Sequence, residues 1–187
     1  MNQNFALNIF KKAGALLEGH FLLTSGLHSP VYWEKFRVLQ YPEDTAKLCG
    51  LIARHYENKG LDVVAGPTTG GVILAFEIAK QLGIRSAFAE KDGAVRVFRR
   101  GFNIEPGERV LVVDDILTTG GSIVEVIKAV RKVSGNVIGI GVMVDRSDQN
   151  IDLGWPLFSC LKSVAETYRP EACPLCARGV PLVRLGG

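Results

Sequence analysis

The sequence has little of what marks several protein classes. Its 187 residues include only four cysteines, too few for a disulfide-stabilised scaffold. Basic residues exceed acidic residues by 22 − 19 = 3, and so small a net charge argues against a strongly basic nucleic-acid coat. The longest uncharged apolar run, Val137 to Val144, has eight residues, whereas a membrane-spanning helix needs roughly 20. We therefore expect no transmembrane helix.

The N-terminus also lacks the pattern of a secretory signal. Residues 1–17 form an amphipathic stretch without a basic segment, an apolar block and a small-residue cleavage site. Cys49 and Cys160 lie in apolar surroundings, which favours reduced thiols. With 47% hydrophobic residues the chain can bury a core, so we expect one folded, cytoplasmic domain.

Apolar periodicity predicts the elements of the N-terminal third. The spacing over Ala6–Leu17 predicts a first helix. Residues 21–40 break into short apolar pieces around Gly26 and Pro30, which predicts strand, turn and strand. A second helix is predicted from Tyr41 to about Gly60.

After residue 60, short β-branched runs alternate with glycine-bearing turns and helix-period segments. Strands are predicted at Val63–Ala65, Ser86–Glu90, Val110–Val113 and Val137–Val144. Because they do not alternate apolar and polar residues, we predict an α/β fold with a parallel sheet covered by helices on both faces. Ligands of such sheets bind at the carboxyl ends of the strands.

Residues 91–102 alternate apolar and basic side chains around two glycines, which predicts a mobile β-hairpin. Its exposed face is expected to carry Arg96, with Lys91, Arg99 and Arg100 close by. By itself this pattern fits a solvated charged hairpin equally well. The C-terminal residues 168–187 are irregular and are expected to wrap the surface.

The most informative stretch is Val112–Ser122. Asp114 and Asp115 follow a buried run, and Thr118-Thr119-Gly120-Gly121-Ser122 then leads into a predicted helix. Helix N-termini favour anions, while carboxylates can hold ribose hydroxyls or hydrated Mg²⁺. A sugar phosphate meets both demands. The stretch is neither a Walker loop nor a Gly-x-Gly-x-x-Gly dinucleotide turn.

This stretch resembles the phosphoribosyl pyrophosphate signature of the type I phosphoribosyltransferases. More narrowly, residues 19–32 (GHFLLTSGLHSPVY) and Val144-Asp145-Arg146 resemble the orotate phosphoribosyltransferase family, with a similarity that thins beyond Arg146. The resemblance implies a single domain over residues 1–187, in which residues 1–40 and the C-terminal segment form a hood and residues 60–150 form the core. It also implies a homodimer whose flexible hairpin closes over the neighbouring subunit's site.

The resemblance implies an activity and a set of site residues. The activity is transfer of ribose 5-phosphate from phosphoribosyl pyrophosphate to orotate, with Mg²⁺, in the pathway to UMP. Asp114 and Asp115 would meet the ribose hydroxyls and the metal. The implied orotate-binding residues are Thr118, Arg146, Tyr32 and Trp33. The implied phosphoribosyl pyrophosphate-binding residues are Asp114, Asp115, Thr118, Thr119, Gly120, Gly121, Ser122, Lys91, Gly70 and Gly71.

Two segments depart from the family pattern. Gly66–Gly71 corresponds to the loop that contacts pyrophosphate, but Gly70 stands where a lysine is common. In the hairpin, Glu90-Lys91 replaces a typical Arg-Lys pair. The positive charge that faces pyrophosphate is therefore redistributed, and Lys91 joins Asp114 and Asp115 as the implied catalytic residues.

Alternatives remain open at this point. One is a phosphoribosyltransferase for another base, against which residues 19–32 argue; another is a regulator that binds phosphoribosyl pyrophosphate without catalysis. Cys173 and Cys176 form a lone C-x-x-C, which could hold zinc only with Cys160 or a distant histidine. His20 and His28 flank a turn and are expected to be local hydrogen-bonding residues rather than metal ligands.

Overall fold

The structure is a computed structural model that describes residues 2–23, 25–34, 36–147, 151–163 and 166–185. Thr24, within the orotate-type segment, lies outside these ranges. The elements in chain order are α1 Asn2–Lys12, β1 Leu16–Leu22, β2 His28–Trp33, α2 Phe36–Leu39, α3 Pro42–Tyr56, β3 Val63–Pro67, α4 Gly70–Leu82, β4 Arg85–Asp92, β5 Val95–Phe98, β6 Arg109–Leu117, α5 Gly121–Lys132, β7 Asn136–Asp145, β8 Leu157–Lys162, a 3₁₀ turn at Pro170–Ala172, α6 Pro174–Ala177 and β9 Val183–Arg184.

Six strands form the main sheet, in the order β5-β4-β3-β6-β7-β8. The pairings from β4 to β8 are parallel, and only β5 at the edge runs antiparallel. The predicted parallel sheet with flanking helices is confirmed, and all four predicted strands lie in it. None of the helices within the described ranges is long and apolar enough to cross a membrane.

Successive residues of the central strands pack into two different cores. Val64 and Leu111 belong to a core with α1, α3 and α4, whereas Val63 and Val112 belong to a core with α5. Side chains of a strand point alternately to the two faces of a sheet, so both faces need apolar residues. This explains why the strands show no alternation.

Tyr56 makes a polar contact inside this packing. Its hydroxyl oxygen lies 2.9 Å from the carbonyl oxygen of Ile140 and 3.0 Å from that of Pro156. Gly139 leaves room for the ring, because a Cβ there would lie 2.5 Å from it. Burial raises the pKa of Tyr56 to about 12. The hydroxyl thus joins α3 to β7 and to the residue that precedes β8.

A second, three-stranded sheet has the order β2-β1-β9. β1 pairs with β2 antiparallel and with β9 parallel. The register of the β1–β2 pair shifts between Glu18 and Phe21, which marks a β-bulge. As a result two successive side chains, His20 and Phe21, are both buried.

The N-terminal boundaries differ from the sequence prediction. The first helix ends at Lys12 rather than Leu17, because Gly14 adopts a left-handed backbone conformation (φ 63°) and the chain then enters β1. Leu16 and Leu17 fit a helical spacing but pair with β2 instead. Residues 36–39 form the short helix α2, and the next helix ends at Tyr56.

The predicted β-hairpin is present as β4 and β5. Their antiparallel register runs from the pair Ala89–Phe98 to the pair Asp92–Val95. The connecting residues include Gly93 at φ 60°, a conformation that glycine adopts without strain.

Candidate active site

Asp114 and Asp115 lie inside β6, three and two residues before its end at Leu117. They are 6% and 3% exposed. Asp114 Oδ1 accepts a hydrogen bond from the backbone N–H of Asp115 (2.8 Å), and Asp115 Oδ1 accepts one from that of Ile116 (2.7 Å). The Ser122 hydroxyl donates to Asp114 Oδ2 and ties the first turn of α5 to the strand. Local backbone geometry thus orients both carboxylates.

The glycine loop after β3 lies directly against this pair. A Cβ on Gly70 would lie 2.0 Å from Asp115 Oδ2. Likewise, a Cβ on Gly66 would lie 2.3 Å from the Gly71 carbonyl oxygen, and one on Gly71 would lie 2.5 Å from Pro67 Cδ. The structure therefore brings Gly70 against Asp115 and packs Gly71 against Gly66 and Pro67, and a side chain at position 70 would meet the Asp115 carboxylate.

Thr118 to Gly120 form the turn between β6 and α5, and Gly121 and Ser122 are the first two residues of the helix. Thr118 and Thr119 are exposed, and Gly120 adopts a left-handed conformation at φ 78°. Gly120 precedes the helix without a side-chain capping hydrogen bond. The first N–H groups of an α-helix have no partner within the helix, and the helix dipole makes this end attractive to anions.

Arg146 follows β7 and lies beside Thr118. Leu117 pairs with Asp145 in the sheet register, and the Arg146 N–H donates to the Leu117 carbonyl at 2.8 Å. The turn is held by Asp145 Oδ1, which accepts hydrogen bonds from the Ser147 N–H (2.9 Å) and hydroxyl (2.6 Å). In the sequence, Asp145 stands out only as part of Val144-Asp145-Arg146, and Ser147 gives no signal, because Asp two residues before Ser is a common turn pattern.

The two aromatic residues predicted to face the base have different surroundings. Trp33 is 5% exposed and packs edge-on against Phe10, with ring centroids 5.2 Å apart. Tyr32 is half-buried, and the centroid of its ring lies 5.7 Å from that of Phe21. Neighbouring residues of a strand point to opposite faces, and Trp33 belongs to the core that also contains Phe10 and Val144.

The prediction that Arg96 is exposed is wrong. Its side chain is buried, and Nε donates to Glu125 Oε2 at 2.9 Å. One terminal nitrogen reaches the Thr68 hydroxyl (3.2 Å) and the Ala89 carbonyl (3.0 Å). The hairpin thus turns Arg96 inward and leaves the neighbouring Val95 54% exposed. In most half-buried strands the apolar side chain is buried and the charged one is exposed, so the arrangement here is reversed. Arg96 therefore joins the hairpin to the glycine loop and to α5.

The remaining basic residues of the hairpin differ in their partners. Arg99 pairs with Asp92, and Arg100 pairs with Glu90 at 3.2 Å. Arg99 and Arg100 therefore have acidic partners within the hairpin itself. Lys91 is exposed, and within the described part of the chain it makes no ion pair with a carboxylate.

Two histidines of the three-stranded sheet and two cysteines of the C-terminal segment meet in one cluster. They are His20, His28, Cys173 and Cys176, whose nitrogen and sulfur atoms lie within 4.8 Å of one another. The two histidines do lie within hydrogen-bond distance of each other, at 2.9 Å, but they also contact the thiols. Cys160 is elsewhere, in the core, with Sγ 3.4 Å from the Leu48 carbonyl.

Comparison with known proteins identifies the family. Residues 37–164 match the phosphoribosyl transferase domain. The chain belongs to this family. It is 47% identical over 186 residues to an orotate phosphoribosyltransferase of Desulforamulus reducens, an alignment that covers 100% of this chain and 97% of that protein. An orotate phosphoribosyltransferase of Pelotomaculum thermopropionicum is 48% identical, with 100% and 98% covered. The chain therefore falls within the orotate phosphoribosyltransferases.

Solved structures agree with this placement. A crystal structure of orotate phosphoribosyltransferase from Aeropyrum pernix has a TM-score of 0.70 at 29% identity and covers 83% of this chain and 92% of that chain. An adenine phosphoribosyltransferase from Thermoanaerobacter pseudethanolicus, at 21% identity, shares the fold with a TM-score of 0.60 and covers 71% of this chain and 88% of that one.

The alignments with the curated relatives extend beyond Arg146 and cover 100% of this chain. The domain match, by contrast, omits residues 1–36 and 165–187. These omitted segments contain all three strands of the small sheet and the four clustered histidines and cysteines.

Proposed function

We propose that the chain transfers ribose 5-phosphate from phosphoribosyl pyrophosphate to orotate, giving orotidine 5′-monophosphate and pyrophosphate in pyrimidine biosynthesis. The observation that carries this proposal is the meeting of the acidic pair, the glycine loop and the α5 N-terminus at adjacent strand ends. Full-length similarity to orotate phosphoribosyltransferases supports the choice of base.

Phosphoribosyl pyrophosphate has two anionic groups, and each has a suitable loop. The 5-phosphate is bound by Thr118-Thr119-Gly120-Gly121-Ser122 through backbone N–H groups, hydroxyls and the α5 dipole. The pyrophosphate is bound by the backbone of Gly66–Gly71, which carries no side chain at positions 70 and 71. Asp114 and Asp115 lie between the two loops and hold the ribose hydroxyls.

The acidic pair also fits the Mg²⁺ that the family implies. Carboxylate oxygens are the ligands that Mg²⁺ prefers, and Gly70 places no side-chain atom against Asp115 Oδ2. Asp114 and Asp115 would hold the ion directly or through water. When bound, the ion neutralises negative charge on pyrophosphate.

Lys91 is the candidate side chain for the pyrophosphate leaving group. Breaking the anomeric C–O bond leaves negative charge on pyrophosphate, which a nearby cation stabilises. Arg96 is committed to Glu125 and Thr68, and Arg99 and Arg100 have carboxylate partners within the hairpin. These contacts support Lys91 for this role and Arg96 as the residue that positions the hairpin.

Arg146 and Thr118 are the candidate orotate-binding residues. The hydrogen bond between Arg146 and Leu117 holds them at neighbouring strand ends. A guanidinium group is a natural partner for the carboxylate or carbonyl edge of orotate. Tyr32 would line the pocket from the three-stranded sheet, which with the C-terminal segment we propose to be the hood over a core at residues 60–150.

An assay of pyrophosphate release tests the activity. The full chain is incubated with phosphoribosyl pyrophosphate and Mg²⁺, and release is measured with orotate, uracil, adenine or hypoxanthine. We expect release only with orotate. Equal use of another base would overturn the base assignment. Binding of phosphoribosyl pyrophosphate without release for any base would favour a regulator.

We also propose a homodimer, with a second copy of this chain against α4. Ile73 and Phe76 on this helix are 42% and 64% exposed. They border an apolar groove of about 340 Å³ that Leu39 and Val72 also line. Exposed apolar patches of this kind mark association surfaces.

The buried free thiols Cys49 and Cys160 fit a reducing compartment, and we place the enzyme in the cytoplasm.

Mixing two inactive variants tests whether the dimer shares its sites. One carries Lys91→Ala, and the other carries Asp114→Asn with Asp115→Asn. If the hairpin serves the neighbouring subunit, mixed dimers contain one intact site and regain part of the activity. No recovery after demonstrated subunit exchange would contradict sharing, and a monomeric mass in solution would contradict the dimer.

A further inference from the structure

We propose that His20, His28, Cys173 and Cys176 bind one structural zinc ion, which fastens the C-terminal segment to the three-stranded sheet. The four ligand atoms lie within 4.8 Å of one another. Two histidines and two cysteines are an established ligand set for structural zinc. This site shares no residue with the proposed active site, and the proposal does not depend on the proposed reaction.

The distances between the ligand atoms fit a tetrahedral zinc site. Zn–N and Zn–S bonds of about 2.0 and 2.3 Å place neighbouring ligands roughly 3.3–3.8 Å apart. The nitrogen of His20 lies 3.5 Å from the sulfur of Cys173 and 3.8 Å from that of Cys176, and the nitrogen of His28 lies 3.3 Å from the latter. The two nitrogens are closer, at 2.9 Å, and need to move apart by a few tenths of an ångström.

The tautomer of His20 favours metal binding. Its Nδ1 lies 2.8 Å from the carbonyl oxygen of Val180, and a carbonyl can only accept a hydrogen bond. Nδ1 therefore carries the proton, which leaves the lone pair of neutral His20 on Nε2, the atom that faces the cluster. Zinc-binding histidines commonly donate their other ring N–H to a backbone carbonyl in this way.

The backbone on both sides is built to present the ligands. The bulge between Glu18 and Phe21 turns His20 to the interior, and it is 2% exposed. Cys173 and Cys176 bracket the start of the short helix α6 with the C-x-x-C spacing common in zinc sites. His28 is held by paired 2.8 Å backbone hydrogen bonds with Tyr168. All of these positions are fixed by contacts outside the cluster.

The ligand set points to zinc and to a closed site. Thiolate and imidazole together select zinc over the hard cations Mg²⁺ and Ca²⁺. Four protein ligands complete the tetrahedron, so no coordination position is left for a substrate. Three of the four residues are buried, and only Cys176 is exposed.

The C-terminal segment has few apolar contacts that could replace such a site. β9 has two residues, Val183 and Arg184, and both are exposed. Leu175 is the principal buried hydrophobic side chain of α6, with 7% exposure. A small unit with so little core is commonly stabilised by a metal or a disulfide.

Metal analysis of the intact chain tests the proposal. The chain is produced with zinc available, purified in reducing buffer without chelators, and analysed by mass spectrometry for bound metals. We expect one zinc per chain. Cys176→Ser and His20→Gln should weaken zinc binding by roughly 100-fold or more, because loss of a ligand exceeds the effect of losing an outer-shell partner. Cys160→Ala and His55→Ala, matched substitutions outside the cluster, should keep the zinc.

Wild-type protein provides a test that does not depend on how the variants fold. After removal of zinc, added Co²⁺ should give the visible bands of a tetrahedral site together with a thiolate-to-cobalt charge-transfer band. Metal removal should also speed proteolysis within residues 166–185, and zinc should reverse this. A chain that binds no zinc, octahedral cobalt spectra, or a Cys173–Cys176 disulfide in reducing buffer would each overturn the proposal.

Discussion

The acidic site of the six-stranded sheet and the histidine–cysteine cluster of the three-stranded sheet are assembled in different ways. Asp114, Asp115 and Ser122 lie within nine residues of sequence, and their hydrogen bonds link neighbouring residues or one strand to the next helix. The cluster joins His20 to Cys173, which is 153 residues away. Only the first is a local motif.

The two regions also differ in what stabilises them. The six-stranded sheet buries apolar side chains on both faces, so its polar site rests on a framework that is stable without it. The three-stranded sheet has a two-residue third strand and few buried apolar residues near it. We infer that polar groups perform chemistry in the first region and hold the structure together in the second.

The largest expected effect comes from removing the charges of the acidic pair. Asp114→Asn with Asp115→Asn should lower kcat by at least about 1,000-fold, because electrostatic groups at reacting centres each contribute about 100-fold or more. Zinc content and Tm should change little. Asp62→Asn is the matched control, since Asp62 contacts the opposite, amino-terminal end of β6. Unchanged turnover in the double variant would contradict the site.

Arg146→Ala should have a smaller and more selective effect. A charge-assisted hydrogen bond contributes about 1.5–3 kcal/mol, which corresponds to a loss of roughly 10–100-fold in kcat/KM for orotate. The KM for phosphoribosyl pyrophosphate should stay the same. Arg131→Ala, on the exposed last turn of α5, serves as the control. Equal losses for both substrates would argue against a role in base recognition.

The thermal stability of Arg96→Ala tests whether the Arg96 side chain is buried in the folded protein. The substitution removes the ion pair with Glu125 and the charge-assisted hydrogen bonds to the Thr68 hydroxyl and the Ala89 carbonyl. We expect a cost of about 1–3 kcal/mol, or a Tm lower by roughly 2–10 °C. Arg99→Ala removes an exposed pair and should cost less than about 1 kcal/mol. Thermal unfolding of both variants checks that Arg96→Ala lowers Tm more than Arg99→Ala does. An equal or smaller loss for Arg96→Ala would indicate that Arg96 is exposed.

These differences explain how far the sequence predicts the molecule. The parallel sheet, its helices and the Val112–Ser122 motif follow from apolar patterning and adjacent residues, and they are confirmed as structural elements. The burial of Arg96 could not be predicted, because it depends on Glu125 and Thr68 on other elements. The four-residue cluster could not be predicted either, because its histidines and cysteines meet only when β1 and β2 pack against the C-terminal segment.

A small effect at neutral pH is expected from Tyr56→Phe, which removes the hydroxyl that joins α3 to the six-stranded sheet. Losing the one hydrogen bond that this O–H shares between the Ile140 and Pro156 carbonyls should cost about 0.5–1.5 kcal/mol. The Tyr56 hydroxyl adds one polar contact to a core that is already packed. Removal of zinc from the three-stranded sheet should instead detach residues 166–185. Urea unfolding at neutral pH measures the loss, and the cluster's zinc should stay bound.

The pH dependence of this loss sharpens the same comparison. Burial raises the pKa of Tyr56 to about 12 in the folded chain, above its ordinary value of about 10. The folded state therefore favours the protonated phenol, and this contribution is complete below about pH 10 and is lost as the pH rises through about 12. The stability advantage of wild type over Tyr56→Phe should shrink across that window in parallel urea titrations. A constant difference would show that the hydroxyl ionises equally well in the folded and unfolded chains, and that this part of the core is open to water.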